Sequence, residues 1–158
     1  RNEVLYLERI TPDDYTVNIT SVAGRLPAHA TSAGLVLHAF GSQEGQRLFL
    51  SRAHARFTDT TPTEIEQLKE KLSRARIDGF VASLGTIIPE STGISVPIFG
   101  PKKLAIAALT VIVPIGDEDL DLIVPQMKIT ARAIQRRTGV VPEMNSRVTR
   151  ETRQSPLG

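Results

Sequence analysis

Few side chains in these 158 residues have the types and spacing that chemistry needs. There is no cysteine, which excludes disulfides, thiolate nucleophiles and thiolate metal sites. His29, His38 and His54 stand at spacings that form no metal-ligand motif, so structural or surface roles are expected of them. No carboxylate pair, phosphate-binding glycine loop or nucleophile elbow stands out. What remains is binding chemistry. Thr31 or Ser32 can cap a short helix running through Leu35, Val36 and Phe40, with Gly41 ending it. A helix start presents unpaired amides and partial positive charge, where an anion can sit, although every helix has such a start. Thr110 is the one polar side chain in the apolar run 104–113, on a strand face with Ala108 and Ile112. A hydroxyl inside an apolar sheet needs a partner in protein, water or ligand.

The chain that must position these groups reads as α+β. Residues 79–115 hold three strand-like runs: Phe80, Ala82 and Leu84 alternating with Val81 and Ser83; then Ile94, Val96 and Ile98; then 104–113. The short breaks between them, among them Gly100-Pro101-Lys102-Lys103, favour an antiparallel meander. The last run is apolar on both faces and is expected at the covered centre of a sheet. Upstream, 3–10 reads as a strand, with Val4, Tyr6 and Ile10 on one face. Tyr15, Val17 and Ile19 mark its hairpin partner across Thr11-Pro12-Asp13-Asp14.

Helices are predicted at three further places. One lies within 42–55, with Leu48 and Phe49 turned inward. A second follows a Thr61–Glu64 capping box, with Pro62 at the first helical position and Ile65, Leu68 and Leu72 on the buried face. The last begins at the acidic residues 117–121 and closes at Gly139, with Pro125 kinking or dividing it. Its stripe of Leu120, Ile123, Val124, Met127, Ala131 and Ile134 reads as core packing rather than a cofactor box. Residues 140–158, with Arg147, Arg150 and Arg153 among polar neighbours, read as a disordered tail.

An apolar fraction of 41% and a charged fraction of 23% suit one globular domain with a core. A net charge of +2 is too small to presume nucleic acid as a partner, and the basic run 69–76 alternates with acids as a solvated helix face does. No apolar run reaches membrane-spanning length, so no membrane partner is expected, and a cytoplasmic location suits the composition. A strand-like opening at Arg1, without methionine, is expected of a piece of a longer protein.

The stretch Gly24-Arg25-Leu26-Pro27-Ala28-His29-Ala30-Thr31-Ser32-Ala33-Gly34 resembles the motif that opens the effector-binding region of IclR-type transcriptional regulators. Gly79-Phe80, Gly93, Ile94-Ser95-Val96-Pro97-Ile98-Phe99 and Ala107-Ala108-Leu109-Thr110-Val111 resemble the family's later strands in the same order, and the closing helix to Thr138-Gly139 fits as well. The resemblance implies a GAF-like fold, a central antiparallel sheet with helices packed on its faces. It implies an effector-binding domain over 1–139, with the usual winged helix-turn-helix absent from this chain. Where the family commonly carries lysine after the turn, this chain has Leu35.

The resemblance further implies a ligand set of Tyr15, Leu26, Ser32, Ala33, Ser83, Gly93, Thr110 and Ile112, with no cofactor and no catalysis. The partners it implies are a small organic acid effector and further copies of the chain, as homodimer or homotetramer, with DNA met only through the missing domain. The acid's carboxylate is expected on the amides of Ser32 and Ala33 and the hydroxyls of Ser83 and Thr110. The otherwise apolar wall favours an aromatic acid. The effector would shift the quaternary state of the DNA-binding heads. A stand-alone GAF-like enzyme and a purely structural dimerisation module are the alternatives.

Overall fold

The computed structural model describes residues 2–11 and 24–137. Strand β1 (Glu3–Leu5) pairs antiparallel with β2 (Arg25–Pro27), and a 3₁₀ turn (Ala28–Ala30) leads into α1 (Ser32–Ala39). Helices α2 (Gln43–Leu50) and α3 (Ile65–Asp78) follow. Strands β3 (Val81–Leu84), β4 (Ser91–Phe99) and β5 (Ala105–Pro114) form an antiparallel meander in that spatial order, and α4 (Leu120–Arg137) comes last. The strand run expected over 3–10 is therefore shorter, and its expected hairpin partner around Tyr15 lies outside the described residues, as do Gly139 and the tail.

Local chemistry accounts for the helix boundaries. Thr31 Oγ1 accepts from the Gly34 amide at 3.1 Å and caps α1, and Ser42 caps α2 through the Gly45 amide. The start of α3 differs from the expected one. Its capping box is Glu64 with Gln67, three residues further on, because Thr61 is otherwise engaged. Thr61 Oγ1 accepts from the amides of Phe57 and Thr58 and donates to the Thr86 carbonyl at 2.7 Å, pinning this loop to the chain after β3. Ile65 thus becomes the first helical residue and is 46% exposed, while Leu68 and Leu72 are buried as expected. In α2 Phe49 is buried and Leu50 packs against the same core. Leu48, about 100° away around the helix, is 47% exposed. Pro125 sits inside α4 without ending it.

The sheet lies between two apolar layers. On one side Ile94, Val96 and Ile98 of β4 meet Val124, Met127 and Ala131 of α4. On the other, Leu35 and Val36 of α1 join Phe49, Leu68, Leu72 and Val81. Each such fully buried aliphatic side chain contributes about 1.5–3 kcal/mol. Strand β4, not β5, is the covered centre among the described residues. Strand β5 has one described neighbour and is only partly buried along its length.

Candidate functional site

Period-two alternation sorts β4 cleanly. Its even-numbered residues face α4, and Gly93, Ser95 and Pro97 face the α1 side. Pairing extends these into rows across the sheet: Ser83, Gly93 and Ile112 form one, and Val81, Ser95 and Thr110 the next. Hydroxyls and a glycine thus replace bulk at the part of the sheet that receives the start of α1.

Two glycines allow the close approach. A Cβ on Gly34 would stand 2.1 Å from the Ala28 carbonyl oxygen, so only glycine lets α1 fold back against the 3₁₀ turn. A Cβ on Gly93 would stand 2.9 Å from Ser32 Oγ. Ser32 Oγ in turn lies 2.8 Å from Ser95 Oγ, and Ser95 Oγ lies 2.8 Å from Thr110 Oγ1. A continuous run of three hydroxyls therefore ties the first residue of α1 to β4 and β5.

Beside this run lies a small cavity of about 40 Å³, room for a few water molecules, within about 370 Å³ of empty space that is partly open to solvent. Leu26, Ile87, Ile88 and Ile112 supply much of its apolar wall, and among the described residues no charged side chain lines it. Several lining hydroxyls are already spent on the protein. Thr31 Oγ1 donates to the Pro27 carbonyl, Thr86 to the Ala30 carbonyl at 2.7 Å, and Ser91 to the Ile88 carbonyl. Ser83 is different: its hydroxyl is buried on the wall and has no partner among the described residues. A buried hydroxyl left unmade costs about 1–3 kcal/mol, which a ligand atom can recover. The Tyr6 phenol also reaches the cavity, and burial pushes its pKa up, so it stays a neutral donor.

Six of the expected ligand residues, Leu26, Ser32, Ser83, Gly93, Thr110 and Ile112, share this one wall. The Ala33 side chain does not. It is buried in the core beneath α1, and Ala33 is not among the residues that line the cavity. Tyr15 lies outside the described residues. Tyr6, Thr31, Thr86, Ile87 and Ile88 were missed because loops and an N-cap bring them here rather than a strand period, and Ser91 because β4 starts before the run Ile94 to Ile98 that marked it in the sequence. Ser32 and Ala33 occupy the first two positions of α1, where helix geometry supplies no acceptor for the amide.

The histidines, scattered in sequence, gather in space. His29 and His54 rings stand 4.6 Å apart, His54 lies 5.1 Å from Phe49, and His38 stacks on Phe49 at 4.1 Å. His29 Nε2 donates to the Ala55 carbonyl at 2.8 Å. Burial, with His54 nearby, lowers the His38 pKa to about 4. The His54 pKa is lowered by burial and by His29. Among the described residues no group of three or more His, Asp or Glu could hold a metal ion, and no helix is long and apolar enough to cross a membrane. A second hollow, beside α4, is bordered by Phe40, Val96, Phe99, Lys128 and Arg132 among others.

A family model described as the C-terminal region of the bacterial transcriptional regulator IclR matches residues 1–136. The Pca regulon regulatory protein of Pseudomonas putida is 29% identical over 117 residues, which are 73% of this chain and 40% of that protein. An IclR homolog from Microbacterium hydrocarbonoxydans, solved with 4-hydroxybenzoate, is 37% identical with a TM-score of 0.79, over 85% of this chain and 55% of that one. The inducer-binding domain of the Acinetobacter transcription factor PobR, a double mutant solved with 3-hydroxybenzoic acid, is 25% identical with a TM-score of 0.74, over 85% of this chain and 82% of that domain. The chain thus spans about half or less of the first two of these proteins.

Proposed function

Because this chain belongs to the IclR family of bacterial transcriptional regulators, as its C-terminal effector-binding domain, we propose that it senses a small aromatic acid in the cavity between α1 and the sheet. The observation that carries this reading is the Ser83 hydroxyl, unpartnered among the described residues, on a wall to which those residues bring no charge. The carboxylate sits on the amides of Ser32 and Ala33, with Ser83 adding a hydrogen bond. A charge-assisted hydrogen bond contributes about 1.5–3 kcal/mol, so such a site holds an anion without a buried lysine, and the residue after the turn, Leu35, is wholly buried. Leu26, Gly93, Thr110 and Ile112 surround the ring, and Tyr15 completes the set. Hydroxybenzoates bound to two similar proteins support an aromatic body.

In the whole protein the ligand acts by favouring one arrangement of a homodimer or homotetramer whose DNA-binding heads lie outside this chain, in the cytoplasm. A coupling of roughly 1–3 kcal/mol between sites is enough. No step of this role needs catalysis or a cofactor. Calorimetric titration with benzoate, the hydroxybenzoates, pyruvate and glyoxylate tests the ligand class. Aromatic acids are expected to bind and the short keto acids to bind weakly or not at all. Tightest binding by a two- or three-carbon acid would remove this reading.

A further inference from the structure

We propose that the hydroxyl run Ser32–Ser95–Thr110 makes the cavity selective for an aromatic acid that also carries a hydroxyl, and that Ser95, which touches no ligand, is the positioning residue that enforces this. The inference rests on the reading above, that a carboxylate sits at the start of α1.

It follows from counting protons. Each of the three hydroxyls has one proton to donate. The two contacts of 2.8 Å consume two of them, leaving one. Ser95 is 0% exposed and absent from the cavity wall, so leaving its proton unused would bury an unmade donor. The run therefore points one way or the other. Either Ser32 donates to Ser95 and Ser95 to Thr110, or Thr110 donates to Ser95 and Ser95 to Ser32. In both cases one end offers the cavity a proton and the other offers only lone pairs.

A carboxylate on the amides of Ser32 and Ala33 lies beside Ser32 Oγ, and lone pairs facing it there would repel it. It selects the second direction, in which Ser32 donates to the carboxylate. Thr110 Oγ1 is then committed to Ser95 and becomes an acceptor, within twice 2.8 Å of Ser32 Oγ. This divides the roles expected of the hydroxyls: Ser83 and Ser32 donate to the carboxylate, and Thr110 does not. The ligand atom opposite Thr110 must carry a proton. A phenolic hydroxyl supplies one, a bare ring edge supplies none, and a second carboxylate meets only lone pairs.

The test is a selectivity ratio, measured calorimetrically with benzoate, 3- and 4-hydroxybenzoate, isophthalate and terephthalate. Wild-type protein is expected to favour one of the hydroxybenzoates over benzoate by about tenfold, as one hydrogen bond is worth. In Thr110→Val that preference should fall to parity. In Ser95→Ala, Thr110 is freed to donate, so discrimination against the dicarboxylates should drop by about tenfold while the preference over benzoate persists. A packing role for Ser95 would not move that ratio. An unchanged dicarboxylate ratio in folded Ser95→Ala overturns the inference. Should that variant not fold, near-isosteric Thr110→Val decides: parity supports the inference, and a retained preference overturns it. Wild-type protein that binds benzoate and hydroxybenzoates equally overturns it alone. Protein that binds no aromatic acid overturns the function proposed above and this inference with it.

Discussion

Gly93 lies so close to Ser32 that a methyl group at position 93 would stand 2.9 Å from the Ser32 hydroxyl oxygen. The contact could be relieved only by moving a hydroxyl that is already hydrogen-bonded to Ser95. Gly93→Ala is therefore expected to break the hydroxyl run and narrow the cavity. Overpacking of this kind costs about 1–3 kcal/mol. Titration should show ligand affinity reduced by about tenfold or more, with a modest loss in chemical denaturation.

Gly34→Ala should be harsher. The added Cβ would meet main chain, at 2.1 Å from the Ala28 carbonyl oxygen, and neither segment can yield without disturbing α1 or β2. A loss of at least about 2–3 kcal/mol is expected in urea unfolding.

Much of this site is legible in the sequence where strand periodicity governs it. Thr110 and Ile112 share a face because side chains repeat every two residues, whereas Ser83 and Gly93, which the family resemblance supplied, stand in register with Ile112 through strand pairing that periodicity alone does not fix. The α+β class and the burial of Leu68, Leu72, Val124 and Met127 follow equally from helical spacing. Loop-borne residues are not legible in this way. Thr86 reaches the cavity because Thr61 and Thr58 hold the chain around it, with Thr58 Oγ1 donating to the Gly85 carbonyl at 2.6 Å. A capping box is a local signal, so the competing long-range partner of Thr61 is invisible to it. The gathering of three histidines around Phe49 is likewise a tertiary fact.

That gathering gives the fold a pH dependence. The His38 pKa is about 4, below the ordinary value of 6.5, so the folded chain prefers the neutral ring and the unfolded chain binds the proton first. The stabilisation is complete above the ordinary value and is lost as pH falls toward about 4. Partial exposure discounts the size, leaving a loss on the order of 1–2 kcal/mol. His54 shifts the same way. Denaturation at pH 7.5, 6 and 5 should show the decline, and His38→Phe should flatten it. An equally steep decline in that variant would mean that other groups govern it.

With a net charge of +2 and no reading helix in the described fold, the chain alone should show no operator-specific DNA affinity. Fluorescence anisotropy at physiological salt checks this. Discrimination of one operator from random DNA would contradict it, whereas weak binding that vanishes with added salt would report only charge.

Self-association is the remaining requirement of a sensor that sets the spacing of paired heads. Sedimentation velocity at micromolar concentrations should show a dimer or tetramer, with the distribution changed by the bound acid. A strict monomer, or an assembly indifferent to ligand, would contradict that role, since a ligand with equal affinity for two arrangements shifts neither.

The most direct measurement is a crystal structure of the chain with 4-hydroxybenzoate bound. The carboxylate is expected at hydrogen-bond distance from the amides of Ser32 and Ala33 and the hydroxyl of Ser83, with the ring against Leu26 and Ile112. A ligand found instead in the hollow between β4 and α4, its carboxylate on Lys128 or Arg132, would contradict the account.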